Sequence, residues 1–131
     1  DYEALLRDHP ADMVAMGFGE NGHIAFNDPP YAKFDDPAWV KVIELAEASR
    51  RQQVGEGHFG SLAEVPTHAI TLTIPALLAP KSILCLVPEA RKAEAVKACL
   101  TQPISEDIPG SILRQVSNAR LYLDPDSAAL M

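Results

Sequence analysis

The sequence predicts a three-layer α/β fold, in which helices lie on both faces of a mostly parallel, open sheet. Two apolar runs, at residues 13–16 and 82–87, are typical of buried strands in such a sheet. The second run is followed by residues 89–100, whose apolar side chains fall on one face of an amphipathic helix. Because strands alternate with helices along the chain, a single layered domain with a parallel core is favoured.

The first half of the chain is predicted to contain two helices and two strands on either side of a glycine-rich loop. The apolar spacing of residues 2–7 predicts a short helix, which Pro10 ends. The strand at 13–16 comes next and runs into a glycine-rich loop. Residues 39–45 then mix apolar with charged side chains as a strand does, and residues 46–54 have the composition of a helix.

The second half continues the alternation. Residues 66–73 are rich in strand-forming side chains and lead into a short helix over 74–79, which Pro80 ends. The apolar strand and the amphipathic helix described above follow. Ser111 is expected to cap a further short helix, and residues 119–123 are expected to form the last strand.

The composition is that of a globular domain and excludes several functions. The chain has 131 residues, of which 47% are hydrophobic and 22% charged, enough for one core. Its net charge of -7 argues against a nucleic-acid partner, because phosphate backbones are bound by clustered lysine and arginine. No apolar run approaches the roughly 20 residues of a membrane span, and no signal-peptide pattern is present. We therefore expect a cytoplasmic protein without a membrane partner, with Cys85 and Cys99 as buried free thiols.

Residues 17–30, which read GFGENGHIAFNDPP, are the stretch most suggestive of chemistry. They follow a predicted strand, and ligands of open α/β sheets bind beyond the carboxyl ends of the strands. The glycines allow tight turns, and His23, Asn27 and Asp28 come directly after them. One interpretation is a catalytic site. The other is a glycine-rich turn in which the histidine is only a hydrogen-bonded turn residue.

The same glycines form a G-x-G-x-x-G pattern, which occurs in dinucleotide-binding proteins. That site needs a helix to begin at the last glycine, so that the pyrophosphate meets the helix N-terminus. Here residues 27–30 read Asn-Asp-Pro-Pro, which interrupts any such helix. The pattern therefore does not predict a dinucleotide cofactor.

Residues 17–30 resemble the active-site signature of the glucosamine-6-phosphate deaminase/isomerase family, usually G-[IF]-G-x-D-G-H-I-A-F-N-E-P. Related 6-phosphogluconolactonases carry different residues after the histidine. A weaker resemblance extends over most of the chain. Asn21 departs from the aspartate usual in the family, and Asp28 from the usual glutamate. In the family the signature lies in the second half of the polypeptide, so the resemblance implies that this chain is the C-terminal half of a larger isomerase/deaminase domain.

The resemblance implies that His23 opens the pyranose ring of a sugar phosphate, assisted by Asp28 and Asn21. This agrees with the chemistry of imidazole, which titrates near pH 6.5 and can move protons at neutral pH. Asp28 has a simpler interpretation as a turn-capping aspartate before proline. A zinc site formed by His23, His58 and Asp28 is another interpretation of these residues, but their spacing matches no zinc motif. We expect neither a metal nor another cofactor.

A second group of residues is suited to a phosphate. Arg91 and Lys92 fall in the first turn of the predicted helix 89–100, where the helix dipole disfavours positive side chains unless an anion lies beside them. The resemblance assigns phosphate binding to Lys92 and Arg50, and the alternative for each is a solvated surface charge. We also expect the signature glycines to border the substrate, namely Gly19 and Gly22.

The resemblance implies an enzyme that converts glucosamine 6-phosphate to fructose 6-phosphate and ammonia. A 6-phosphogluconolactonase-like hydrolase and a catalytically silent sugar-phosphate-binding module are the alternatives, and Asn21 favours the silent module. In the family the preceding half supplies a phosphate loop and a proton-shuttling aspartate, and neither occurs here. We therefore expect the chain alone to be inactive and to present an apolar sheet edge, through which a homo-oligomer is conceivable.

Overall fold

A parallel three-stranded sheet lies at the centre of the structure, a computed structural model that describes residues 2–131. Helices or 3-10 turns separate most of the strands, as the sequence predicts, although none lies between the first two strands. Ser111 lies within a 3-10 turn and does not cap a helix, so that prediction is wrong. In chain order the elements are α1 (Tyr2–Asp8), β1 (Met13–Met16), β2 (Val40–Glu44), α2 (Glu47–Gly55), β3 (His68–Leu72), α3 (Ile74–Leu78), β4 (Ser82–Val87), α4 (Ala93–Thr101) and β5 (Ala119–Leu123), with 3-10 turns at Ala90–Lys92 and Pro109–Gln115.

Strand β4 is the central strand, and β1 and β5 pair with it in parallel on either side. Met13 is opposite Ser82, and Ile83 is opposite Ala119. The continuous apolar sequence of β4 is typical of a central strand in a parallel sheet, which has a neighbouring strand at each edge. The predicted α/β fold with a parallel core is confirmed.

Strands β2 and β3 form a separate antiparallel pair instead of extending the parallel sheet. Ile43 and Thr71 point inward from this pair and are buried. Val42 and Ile70 are directly opposite each other on the outer face and are exposed. Alternation along a strand predicts which side chains share a face, but it carries no information about the neighbouring strand.

Within residues 2–131, only one face of the parallel sheet is well buried. Side chains of that face belong to the main hydrophobic cluster together with residues of α3 and α4. The buried members of the cluster from these elements are Ile74, Leu77, Cys85, Val87, Val96 and Cys99. On the opposite face Met13, Leu86 and Tyr122 are each more than half exposed. The sheet thus has an open apolar face in this part of the protein.

The two cysteines are buried free thiols, as the sequence predicts. Burial raises the pKa of Cys85 to about 12 and that of Cys99 to about 11. Both are therefore protonated at neutral pH, and they contribute to the core as small apolar side chains. None of the helices in residues 2–131 has the length and apolar character needed to cross a membrane.

The predicted helix 89–100 begins later than expected, because the backbone bends at Glu89. This residue has a φ of 84°, a conformation that favours glycine. A 3-10 turn over Ala90–Lys92 follows, and the α-helix begins only at Ala93. Lys92 therefore lies at the N-cap of α4.

Replacing Glu89 by glycine is expected to raise the free energy of unfolding by about 1 kcal/mol. A side chain at positive φ costs about 1–3 kcal/mol, and part of this gain is offset by the greater freedom of glycine in the unfolded chain. Denaturant unfolding measures the change. Glu89→Ala is the matched control, because it also removes the ion pair of Glu89 with Arg91 but keeps Cβ. Equal stabilities of the two variants would show that Glu89 is not strained.

Candidate active site

The glycine loop and the turn around Lys92 lie at the same edge of the sheet. The loop follows β1 and residues 88–92 follow β4, and the carboxyl ends of these parallel neighbours meet. A Cβ on Gly17 would lie 2.9 Å from the carbonyl oxygen of Leu86, so the loop approaches β4 closely. Arg91 Nη1 lies 4.0 Å from Glu20 Oε1. The two groups of residues suggested by the sequence are therefore neighbours.

The glycine loop wraps around the imidazole of His23. Its backbone is closed by hydrogen bonds from Gly19 N to His23 O, 2.8 Å, and from Gly22 N to Gly19 O, 3.0 Å. Gly22 has a φ of 79°, which a side chain resists. A Cβ on Gly19 would lie 1.9 Å from the His23 ring, so only glycine fits there. These contacts explain why glycine occupies positions 19 and 22. The predicted contact of Gly19 and Gly22 with the substrate stays a prediction.

His23 is oriented by two oxygen acceptors. Its Nδ1 lies 2.5 Å from Asn21 Oδ1 and 3.1 Å from Asp28 Oδ1. The Asn21 amide nitrogen donates to Asp28 Oδ1 at 2.9 Å, which places its oxygen toward the imidazole. With acceptors on that side, Nδ1 carries the proton of the neutral ring, and Nε2 keeps a lone pair that can accept another. The element after this loop is β2, not the helix that a dinucleotide site requires.

Asp28 is a buried carboxylate with donors on both oxygens. Besides the bond from Asn21, its Oδ2 accepts a short hydrogen bond from the hydroxyl of Ser49, and only 3% of Asp28 is exposed. Burial raises the pKa of Asp28, but the hydrogen bonds from His23, Ser49 and Asn21 outweigh it and lower the pKa to about 2. At neutral pH Asp28 is therefore an anion suited to orienting the imidazole and stabilising its protonated form.

Asn27, the third polar residue of the stretch, supports the loop and does not face the imidazole. Its side-chain nitrogen donates to the carbonyl oxygens of Ile24 and Leu72, both at 2.8 Å, and the residue is fully buried. Phe26 N donates to Thr71 Oγ1 at 3.1 Å. These bonds attach the loop to β3 and so hold His23 and Asp28 in register.

Arg50 has structural partners that the sequence did not indicate. Its Nη2 donates to the carbonyl oxygens of Leu62, 2.7 Å, and Val65, 3.0 Å, and so fastens the segment between them to α2. Its Nε is buried and has no hydrogen-bond partner among residues 2–131. The predicted contact of Arg50 with phosphate stays a prediction.

Arg91 and Lys92 are neighbours in sequence but differ in their surroundings. Arg91 lies 2.8 Å from Glu89, 3.8 Å from Glu56 and 4.0 Å from Glu20, so carboxylates already balance its charge. Lys92 is only 8% exposed, and its ammonium has no hydrogen bond or ion pair with any other residue in 2–131. Most of the side chain is covered by protein, whereas the ammonium is left to contact an anion from outside the described chain, such as a phosphate.

His58 lies near Glu56, with 3.5 Å between His58 Nε2 and Glu56 Oε2. In the part of the chain that the structure describes, no three His, Cys, Asp or Glu side chains are grouped so as to hold a metal ion. A pocket of about 60 Å³ opens beside the imidazole, and its lining residues come from the glycine loop and from α2. They are Glu20, Asn21, His23, Ala48, Ser49 and Gln52.

Comparison with known proteins identifies the family to which this chain belongs. The family model for glucosamine-6-phosphate isomerases/6-phosphogluconolactonase matches residues 1–122. Glucosamine-6-phosphate deaminase from Bacillus cereus (strain G9842) is 37% identical over 129 residues, which are 98% of this chain and 47% of the relative. The enzyme of the same name from Exiguobacterium sibiricum is 38% identical over 130 residues, 99% of this chain and 50% of the relative. The chain thus spans about half the length of these relatives.

Solved structures agree with this comparison. A monomeric glucosamine-6-phosphate deaminase superposes with a TM-score of 0.89 at 37% identity, over 99% of this chain and 52% of that one. The 6-phosphogluconolactonase from Trypanosoma brucei shares the fold, with a TM-score of 0.71 at 19% identity over 98% of this chain and 50% of that one. The resemblance inferred from residues 17–30 is confirmed: the chain belongs to the glucosamine-6-phosphate isomerase/6-phosphogluconolactonase family.

Proposed function

We propose that the protein containing this chain converts glucosamine 6-phosphate to fructose 6-phosphate and ammonia. The observation that carries the proposal is the geometry of His23, whose Nδ1 faces two acceptors and whose Nε2 is left to exchange protons. The relatives named glucosamine-6-phosphate deaminase support it at 37–38% identity, whereas the 6-phosphogluconolactonase of Trypanosoma brucei is 19% identical.

The proposed first step is ring opening. His23 Nε2 takes the proton of the anomeric hydroxyl, the bond between C1 and the ring oxygen breaks, and the imidazolium returns a proton to that oxygen. Asp28 stabilises the imidazolium during this exchange. Asn21 orients the imidazole ring through its contact with Nδ1, the nitrogen that Asp28 also faces. Transfer of the C2 proton to C1, with a proton moving from the C2 ammonium to the C1 carbonyl oxygen, then leaves an iminium at C2. Water adds to this carbon and ammonia leaves, which gives the C2 ketone of fructose 6-phosphate.

The phosphate of the substrate would be held by Lys92, with Arg50 as a second candidate. Lys92 comes after β4 in the chain, at the edge of the sheet where the glycine loop comes after β1. Its ammonium has no partner among residues 2–131. A phosphate there would meet a charge that no residue in 2–131 neutralises. The binding energy gained at this group, remote from C1 and C2, would fix the sugar against His23.

Part of the site is expected to come from outside this chain. The pocket beside His23, about 60 Å³, is smaller than the roughly 300–1,000 Å³ typical of small-molecule sites. The sheet also has an open apolar face that includes Met13, Leu86 and Tyr122. We infer that the remaining half of the protein covers this face and completes the pocket, supplying the base that moves the C2 proton and further phosphate ligands.

The full-length protein is expected to release ammonia and fructose 6-phosphate in equal amounts from glucosamine 6-phosphate, and the isolated 131-residue chain is expected to show no turnover. Coupled assays for both products measure this, with 6-phosphogluconolactone as the comparison substrate. Hydrolysis of the lactone without deamination would support the lactonase alternative. Deamination by the isolated chain would show that its residues complete the site by themselves.

A further inference from the structure

Ser49 contacts the candidate catalytic group from a different part of the chain. It lies in the first half of α2, 21 residues after Asp28, and its hydroxyl donates a short hydrogen bond to Asp28 Oδ2. Only 3% of either residue is exposed, so this bond is largely shielded from solvent. Within α2, Ser49 is the only buried residue.

The two oxygens of Asp28 are held by different segments. Oδ1 accepts from Asn21 and faces His23 Nδ1, both in the glycine loop, whereas Oδ2 accepts from Ser49. A carboxylate fixed at only one oxygen can rotate about its last side-chain bond. Fixing the second oxygen from α2 sets the plane of the carboxylate and hence the direction of its contact with the imidazole.

We propose that Ser49 is a positioning residue for His23, which acts by fixing the Asp28 carboxylate that orients the imidazole. Because α2 delivers this hydroxyl, the orientation of His23 depends on the packing of α2 against the glycine loop. The adjacent Arg50 fastens α2 to the carbonyl oxygens of Leu62 and Val65, which holds the helix in the required place. The effect on turnover rests on the proposed function, whereas the effect on Asp28 does not.

The titration of Asp28 is the direct measure of this contact. The groups that face its carboxylate are His23, Asn21 and Ser49, of which only His23 titrates. Removing the Ser49 hydroxyl would leave a buried oxygen without its donor and would favour the protonated carboxyl. The pKa of Asp28 in Ser49→Ala is therefore expected to rise by about one unit.

The test measures carbon-13 NMR titration of Asp28 and steady-state kinetics on glucosamine 6-phosphate in the full-length protein. Ser49→Ala is expected to raise the pKa and to lower kcat by about tenfold, with KM within about threefold, because orientation and not binding is lost. Ser49→Thr keeps the hydroxyl and is expected to restore both values. Ser49→Cys, a weak donor of similar size, is expected to behave like alanine and serves if the alanine variant does not fold.

Ser127→Ala is the matched control. Ser127 is likewise fully buried and exchanges hydrogen bonds with an aspartate, Asp124, distant in sequence from the signature. It is expected to lower Tm without changing the titration of Asp28 or kcat. If Ser49→Ala also lowers only Tm, Ser49 is merely structural and the proposal is overturned. If the unmodified protein does not deaminate the sugar, the proposed function fails, while a raised Asp28 pKa still supports the contact.

Discussion

Replacing His23 with glutamine in the full-length protein is expected to lower kcat on glucosamine 6-phosphate by about 10²–10⁴-fold. Glutamine keeps a polar side chain of similar reach but cannot accept and return a proton. The domain is expected to stay folded, since the imidazole is a partner of Asn21 and Asp28 and not part of the hydrophobic cluster. Steady-state kinetics with circular dichroism as the folding control measure this.

An acyclic substrate analogue separates ring opening from the later steps. If His23 opens the ring, the variant should lose much less activity on the acyclic sugar than on the cyclic one, because the analogue bypasses the proton exchange. Equal losses on both sugars would contradict the role proposed for His23. They would indicate that it acts on the transfer between C2 and C1 or on binding.

The second large effect is expected at Lys92. Its replacement by alanine in the full-length protein should raise KM by roughly 10–100-fold, the equivalent of about 1.5–3 kcal/mol of charged hydrogen bonding. The change in kcat should be smaller, because the phosphate lies away from the reacting carbons. The same measurement with inorganic phosphate as a competitive inhibitor should show a parallel loss of inhibition.

Arg91→Ala provides the control for Lys92. It removes a positive charge one residue away, but Glu89, Glu56 and Glu20 already surround that charge. Its KM should stay within about threefold of the unmodified enzyme, since ion pairs at exposed positions contribute little. If both variants raise KM equally, the phosphate is attracted by the overall positive charge of this region and not by a specific contact with Lys92. If neither does, Lys92 lies outside the site.

The class of fold and the position of the site can be inferred from the amino-acid sequence alone. Residues 82–87 form a continuous apolar run, which is typical of a central strand in a parallel sheet, and this signal is local. The stretch 17–30 likewise carries its own information: glycines that permit the turns, a histidine that can move protons, and a specific order of residues after it. Burial of Cys85 and Cys99 followed from their apolar neighbours in the same way.

Other features of the site depend on contacts between segments that are distant in sequence. The contact of Ser49 with Asp28 joins residues that no periodic pattern relates. Nothing in the dipeptide Arg91-Lys92 indicates that the first is surrounded by carboxylates and the second is unpaired. The sequence likewise does not indicate that Arg50 donates to backbone carbonyl oxygens. Nor does it indicate that β2 and β3 pair with each other apart from the parallel sheet. A sequence pattern indicates which side of a helix or strand is buried. Hydrogen bonds between distant segments depend instead on how the helices and strands pack against one another, and this packing is a property of the whole fold.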